Sequence, residues 1–266
     1  NRPAIEETVP EKKAETSMAP AVEAPQEQAA VEAETAAPSQ ITPAPAGDVE
    51  TVPLSPAGTA ATATSTFEAQ PGTTTPAISV PADVQPASLA DAARQGDALA
   101  LFEIGARYSE GRGVTANPPE AAVWYKLSAD RGFAPAQYRL ANLYEKGTGV
   151  APDAAKAIEY YRKAASQGNA SAMHNLAVMY ASGATGTPDL TEAVNWFRQA
   201  ADLGVSDSQF NLAILYARGS GVNRDLEESY KWFAIAANGG DKDAAQKRDE
   251  VANALKPEQL ESARAK

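Results

Sequence analysis

The sequence contains no cysteine and a single histidine, His174, among its 266 residues. That excludes disulfides, thiolate metal sites and any Cys–His or His–His pair within one chain, and no cofactor or metal is expected. Long apolar runs are missing too: nothing approaches the roughly 18–20 consecutive apolar residues that span a bilayer. The N-terminus lacks the basic, then apolar, then small-residue order of a signal peptide. Aromatic and basic residues are scarce at one end. Residues 1–86 hold one of the 18 aromatics, Phe67, against 13 of the 19 prolines. They carry 12 acidic and 3 basic residues, so −9 of the chain's −11 lies there and −2 lies in the rest. An acidic balance argues against nucleic-acid binding, which needs basic patches to displace counterions.

What fills residues 1–86 is mostly Ala, Pro, Thr, Glu and Ser, with runs such as Thr42–Gly47 (TPAPAG) and Gln70–Pro76 (QPGTTTP). Proline removes backbone donors, and so few large apolar groups cannot offset the conformational entropy of folding. The segment reads as a disordered Pro/Ala/Thr/Glu-rich linker whose role is reach. A chain that starts at Asn1 rather than Met is expected to be an excised or processed piece of a longer parent.

The remainder is periodic. Tyr108, Tyr144, Tyr180 and Tyr216 are spaced by 36 residues. Trp124, Tyr160, Trp196 and Trp232 keep the same period, as do Tyr125, Tyr161, Phe197 and Phe233. Ile104, Leu140, Leu176 and Leu212 form a further column, and Gly132, Gly168, Gly204 and Gly240 close each unit. Four repeats, 97–132, 133–168, 169–204 and 205–240, follow one another without insertion or deletion.

Each repeat reads as two helices. Helix A carries Ala-x-x-x-Leu-Ala-x-x-Tyr, as in Ala136, Leu140, Ala141 and Tyr144, which share one helical face. A Gly-x-Gly-Val turn follows, replaced in the third repeat by Gly183-Ala184-Thr185-Gly186, where a different path is expected. Helix B begins after Asn117, Asp153, Asp189 and Asp225, whose side chains can accept first-turn amides. Glu120, Glu192 and Glu228 stand at capping-box spacing, and the closing glycines suit left-handed helix ends. Alanine columns allow close helix approach, and the aromatic pairs fill the space between units, so stability should come from stacking. Residues 88–95 resemble the end of a helix B. Residues 241–266 resemble a polar cap, with Arg248 in the core leucine column. The expected fold is all-α: a right-handed α-solenoid of four 36-residue helix-turn-helix repeats plus capping helices over 87–266, preceded by a disordered tail.

These columns, seen whole in Leu140–Gly168 (LANLYEKGTGVAPDAAKAIEYYRKAASQG), resemble the Sel-one-like repeat (SLR), a relative of the tetratricopeptide repeat (TPR). More narrowly, the Pro/Ala-rich stretch, the half-helix and four repeats with Met173–Gly183 and Glu228–Leu255 resemble the periplasmic region of the PodJ family, alphaproteobacterial polarity and localisation factors. That resemblance implies a periplasmic, membrane-anchored parent working in cell polarity or polar organelle development, close to peptidoglycan.

No catalytic pattern competes with this reading. There is no Ser-x-x-Lys, Gly219-Ser220-Gly221 is a repeat turn rather than a nucleophile elbow, and no glycine turn is followed by Lys-Ser or Lys-Thr. His174 falls in the column of Phe102, Tyr138 and Phe210, which explains it as an aromatic-column residue. What remains is surface. By similarity to tetratricopeptide stacks, helix A lines a concave face, which places Phe102, Tyr138, His174 and Phe210 there. Asn142, Val178 and Ile214 follow four residues on, bordered by Arg139, Asn175 and Asn211. Aromatics interleaved with amides suit an extended peptide or a partner helix; the competing expectation is that the aromatics are mostly packed between units. The chain is therefore expected to be a non-enzymatic scaffold binding a protein partner in this groove. The alternative is a periplasmic regulator that restrains a membrane sensor kinase.

Overall fold

The computed structural model describes residues 77–266. Among these residues it contains eleven helices and no strand. The helices are α1 (Ala87–Arg94), α2 (Ala98–Glu110), α3 (Pro118–Ala129), α4 (Ala134–Lys146), α5 (Ala154–Ala165) and α6 (Ala170–Ser182). They continue as α7 (Leu190–Asp202), α8 (Ser206–Arg218), α9 (Leu226–Asn238), α10 (Lys242–Ala254) and α11 (Pro257–Ala265). Helices α2, α4, α6 and α8 are the A helices of the four repeats; α3, α5, α7 and α9 are the B helices. Each packs on its neighbours in the chain, which makes an α-solenoid. Of the linker expected over 1–86, residues 1–76 lie outside the described residues.

The helix boundaries follow from capping chemistry. Asn117, Asp153, Asp189 and Asp225 accept the amides three residues on, at 3.0 to 3.3 Å. Such caps satisfy donors that the first turn leaves without partners. The reciprocal half of the expected capping box is not made at the two glutamates whose bonds are resolved. Glu120 Oε1 instead accepts the Trp124 indole N–H at 2.8 Å, and Glu228 pairs with Lys231. The amides that a capping box would use are already taken, Asn117 N–H donating to Tyr108 O at 2.8 Å and Asp225 N–H to Tyr216 O at 3.0 Å, so the glutamates are free for other donors.

Every helix A ends on a left-handed glycine: Gly111, Gly147, Gly183 and Gly219, with φ between 67° and 72°. The amide after each closes on the carbonyl five residues back, at 3.0 to 3.1 Å, a Schellman-type stop. The second turn glycine is there for proximity. A Cβ on Gly149 would lie 2.3 Å from the Pro118 carbonyl carbon, and one on Gly221 would lie 2.2 Å from the Leu190 carbonyl oxygen. Each of these turns presses its backbone on the start of helix B in the repeat before. The third repeat, with Thr185 in that column, takes the different path its sequence suggests: Gly186 N–H donates to Gly183 O at 2.8 Å. The detour is short, because Asp189 N–H reaches Tyr180 O at 2.9 Å, matching Asp153 to Tyr144.

The core is one column set repeated. Ile104, Leu140, Leu176 and Leu212 are at most 1% exposed, and Tyr125, Tyr161, Phe197 and Phe233 at most 3%. Burying each such side chain contributes about 1.5–3 kcal/mol. Neighbouring repeats are also clasped at the rim: Arg162 donates to the Tyr180 hydroxyl and Arg198 to the Tyr216 hydroxyl.

The two ends are closed differently. At the start, Val84 is buried, Ile78 and Val80 pack on the same core, and Arg107 donates to Gln85 O. The last ten residues assigned to the linker, 77–86, thus belong to the packed body. At the other end, Arg248 stands half-buried in the leucine column and pairs with Asp249. Helix α11 turns back onto α9, where Ser262 Oγ donates to Glu227 at 2.8 Å.

Candidate protein-binding face

The A-helix aromatics do not stand free. Phe102 packs on Tyr125 (ring centroids 5.5 Å), Tyr138 on Tyr161 (5.9 Å), His174 on Phe197 (5.6 Å) and Phe210 on Phe233 (5.3 Å). Each pair joins helix A to helix B within one repeat, and Phe102 also meets Phe133 of the next unit edge-on, at 5.3 Å. Phe102, Tyr138 and Phe210 remain half-buried. His174 is fully buried, with Nδ1 2.8 Å from Ser208 Oγ of the following repeat. Its place is in the stack.

The expected polar residues divide in the same way. Arg139, Asn142, Val178 and Ile214 are half-buried, while Asn175 and Asn211 are 4% and 3% exposed and sit beneath the surface. At the junction of the second and third repeats they form a network around Tyr161, which the sequence reading treated only as core. The Tyr161 hydroxyl lies 2.8 Å from Asn142 Oδ1 and against the Glu145 carboxylate. Asn175 Nδ2 donates to that hydroxyl at 3.0 Å, and Asn142 Nδ2 donates to Tyr138 O at 3.0 Å. Burial first, then the Glu145 charge, pushes the Tyr161 phenol far above its ordinary pKa, so it stays a neutral donor. The available signal was the column Tyr125, Tyr161, Phe197, Phe233, in which the hydroxyl disappears halfway.

One repeat later the same column lacks its partners. The residues corresponding to Tyr161 and Asn142 are Phe197 and Val178, neither of which can accept a hydrogen bond. Asn211 Nδ2, the counterpart of the satisfied Asn175 Nδ2, is buried with no partner among the described residues. Asn175 Oδ1 is likewise buried without one. A buried donor or acceptor left unpaired costs about 1–3 kcal/mol, and such groups call for an explanation.

Charge on the A-helix wall is uneven. Glu103 is gripped by Arg107 and Arg112, both at 2.9 Å; burial works to raise its pKa, but these hydrogen bonds outweigh it and hold the carboxyl below its usual range. Lys146 and Arg218 close their helices, where the dipole favours cations. Among the described residues no three His, Cys, Asp or Glu side chains group to hold a metal, and no helix is long and apolar enough to cross a membrane.

Paired antiparallel helices repeated in register, with a half-exposed A-helix wall, define a tandem helical-repeat protein. More narrowly, the chain belongs to the Sel1 repeat family, which matches residues 98–133, 134–169, 170–205 and 206–241. These bounds sit one residue later than the units read from the glycine columns. A Sel1 repeat protein from Oxalobacter formigenes is 31% identical, over 62% of this chain and 68% of its own, with TM-score 0.59. The protective antigen c5321 of uropathogenic Escherichia coli strains, described as displaying an SLR fold, is 32% identical over 66% of this chain, with TM-score 0.59. This chain spans only 38% of that antigen. No curated protein matches the sequence. Sel1 repeat proteins are generally protein-interaction scaffolds.

Proposed function

We propose that this chain is a non-catalytic scaffold that binds a protein partner along its A-helix wall. The observation that supports this reading is the buried, unpaired amide of Asn211, with the unpaired Asn175 carbonyl oxygen in the same column one repeat earlier, on helices that also carry the half-buried Val178, Phe210 and Ile214. A leucine at Asn211 would suit Phe197 and Val178 better, so the asparagine is held at a cost to stability. Binding explains that cost: a bound chain's backbone offers both an N–H and a C=O to atoms that the fold leaves without partners. The half-buried aromatic rings of Tyr138 and Phe210 supply apolar contact beside it.

The resemblance to the PodJ family supports a finer reading. The scaffold serves cell polarity or polar organelle development in the periplasm, near peptidoglycan, as part of a membrane-anchored parent. Protease added to spheroplasts should digest the repeats; protection would place them on the other side of the membrane. The binding face is tested with a photoreactive amino acid at Val178, Ile214 or Lys163, the last exposed on helix α5. The same partner should be captured from Val178 and Ile214 but not from Lys163. Equal capture at all three contradicts the assignment.

A further inference from the structure

The A-helix wall changes character along the stack. Its residue column runs Glu103, Arg139, Asn175, Asn211, one per repeat. Glu103 is neutralised by two arginines, and the two asparagines are buried. Arg139 alone in this column carries a charge with no direct partner, although the Glu103 and Glu110 carboxylates act on the same Tyr125 phenol as it does. It makes no ion pair and no hydrogen bond with any described residue, and it is half-buried in the middle of α4. The helix dipole, which accounts for Lys146 and Arg218, does not act on a mid-helix position. Its surroundings follow from the repeat: where Asn175 meets the Tyr161 hydroxyl and Asn142, Arg139 faces Tyr125 and the small Ala106. The guanidinium works to lower the Tyr125 phenol pKa, but burial, the larger influence, leaves that pKa raised, so the ring stays neutral and does not pair with the cation. One helix-A step further, the wall is apolar at Val178 and then at Phe210 and Ile214.

Resting on the reading that this wall binds a protein chain, we propose that its ligand is an extended segment of another protein with an acidic side chain opposite Arg139 and aliphatic side chains opposite Val178 and Ile214. A partly desolvated guanidinium presents a planar fork of donors that fits a carboxylate in two parallel hydrogen bonds. Adjacent packed helices lie about 8–10 Å apart and an extended chain advances about 3.3 Å per residue, so the acid and the first aliphatic residue are about three positions apart in the segment. Charge complementarity sets the register of the segment, and the amides of Asn175 and Asn211 meet its backbone.

A random decapeptide display library panned against the full chain tests this. The retained peptides should be enriched in Asp or Glu about three residues from a Val, Ile or Leu, always on the same side of it. Arg139→Gln should weaken a selected peptide by about tenfold, the equivalent of 1.4 kcal/mol. Arg139→Glu should reverse the preference, retaining peptides with Lys or Arg at the acidic position. That reversal cannot come from a folding defect. Peptides that compete at the wall, and are lost with Asn211→Leu, but are indifferent to Arg139 would overturn the acidic assignment and leave the binding face standing. Retention of no peptide would overturn both. A consensus that matches only this chain's own residues 1–76 would overturn the assignment to a separate protein.

Discussion

Two junctions of the same stack solve the same problem in opposite ways. Between the second and third repeats, a tyrosine hydroxyl, two asparagines and a glutamate close a hydrogen-bonded network beneath the wall. Between the third and fourth repeats the backbone repeats, yet phenylalanine and valine replace the tyrosine and asparagine, and one asparagine amide is left without a partner. The periodic scaffold imposes the positions, and side-chain chemistry at each step sets whether a position is structural or available. The first junction pairs all but one of its polar atoms, Asn175 Oδ1, whereas the second leaves the Asn211 Nδ2 donor with no tyrosine or asparagine to receive it.

The sharpest way to break this comparison is to remove what both junctions share. Leu176, fully buried between them, should destabilise the protein by about 2–5 kcal/mol as Leu176→Ala, read by urea unfolding. A loss below 1 kcal/mol would mean the repeats do not stack as one core. Tyr161→Phe makes the polar junction resemble its apolar neighbour. It should cost about 1–3 kcal/mol, because Asn175 and Glu145 lose their shared partner.

The same substitution has a signature in pH. The Tyr161 phenol has a folded pKa raised above its unfolded value near 10, so its contribution is complete below pH 10 and is lost as pH rises beyond. Its full linkage is about 1.4 kcal/mol per pH unit. Unfolding free energies measured between pH 9 and 11 should therefore fall less steeply in Tyr161→Phe than in the parent; parallel slopes would show that Tyr161 is not the group excluded from ionising. The smallest effect belongs to the rim. Arg198→Ala, which breaks the clasp to Tyr216 at the surface, should change stability by about 1 kcal/mol or less.

Much of the fold was legible because a 36-residue period multiplies every weak local signal by four. The aspartate caps, the closing glycines and the buried leucine column all stand where the pattern placed them. So do the half-helix at the start and the polar cap at Arg248. Less legible was anything set by a particular neighbour. Glu120 bonds an indole because Trp124 lies one turn on, and Val84 belongs to the body because the first repeat has no predecessor to cover it. The candidate face was read as columns at a single depth, and burial differs within them. Columns give angle around a helix and not distance beneath the surface, so His174, Asn175 and Asn211 were grouped with Phe102, Tyr138, Arg139, Asn142, Val178, Phe210 and Ile214. The structure separates the buried three from the seven that reach the surface.

The central claim is that Asn211 is kept for binding at the expense of stability. The direct measurement is Asn211→Leu, followed by thermal unfolding and by partner capture from a photoreactive group at Ile214. A buried orphan amide replaced by a matching apolar side chain should raise stability by about 1 kcal/mol, while capture falls. A protein that is less stable as Asn211→Leu, or one that is more stable and captures its partner undiminished, would contradict the account.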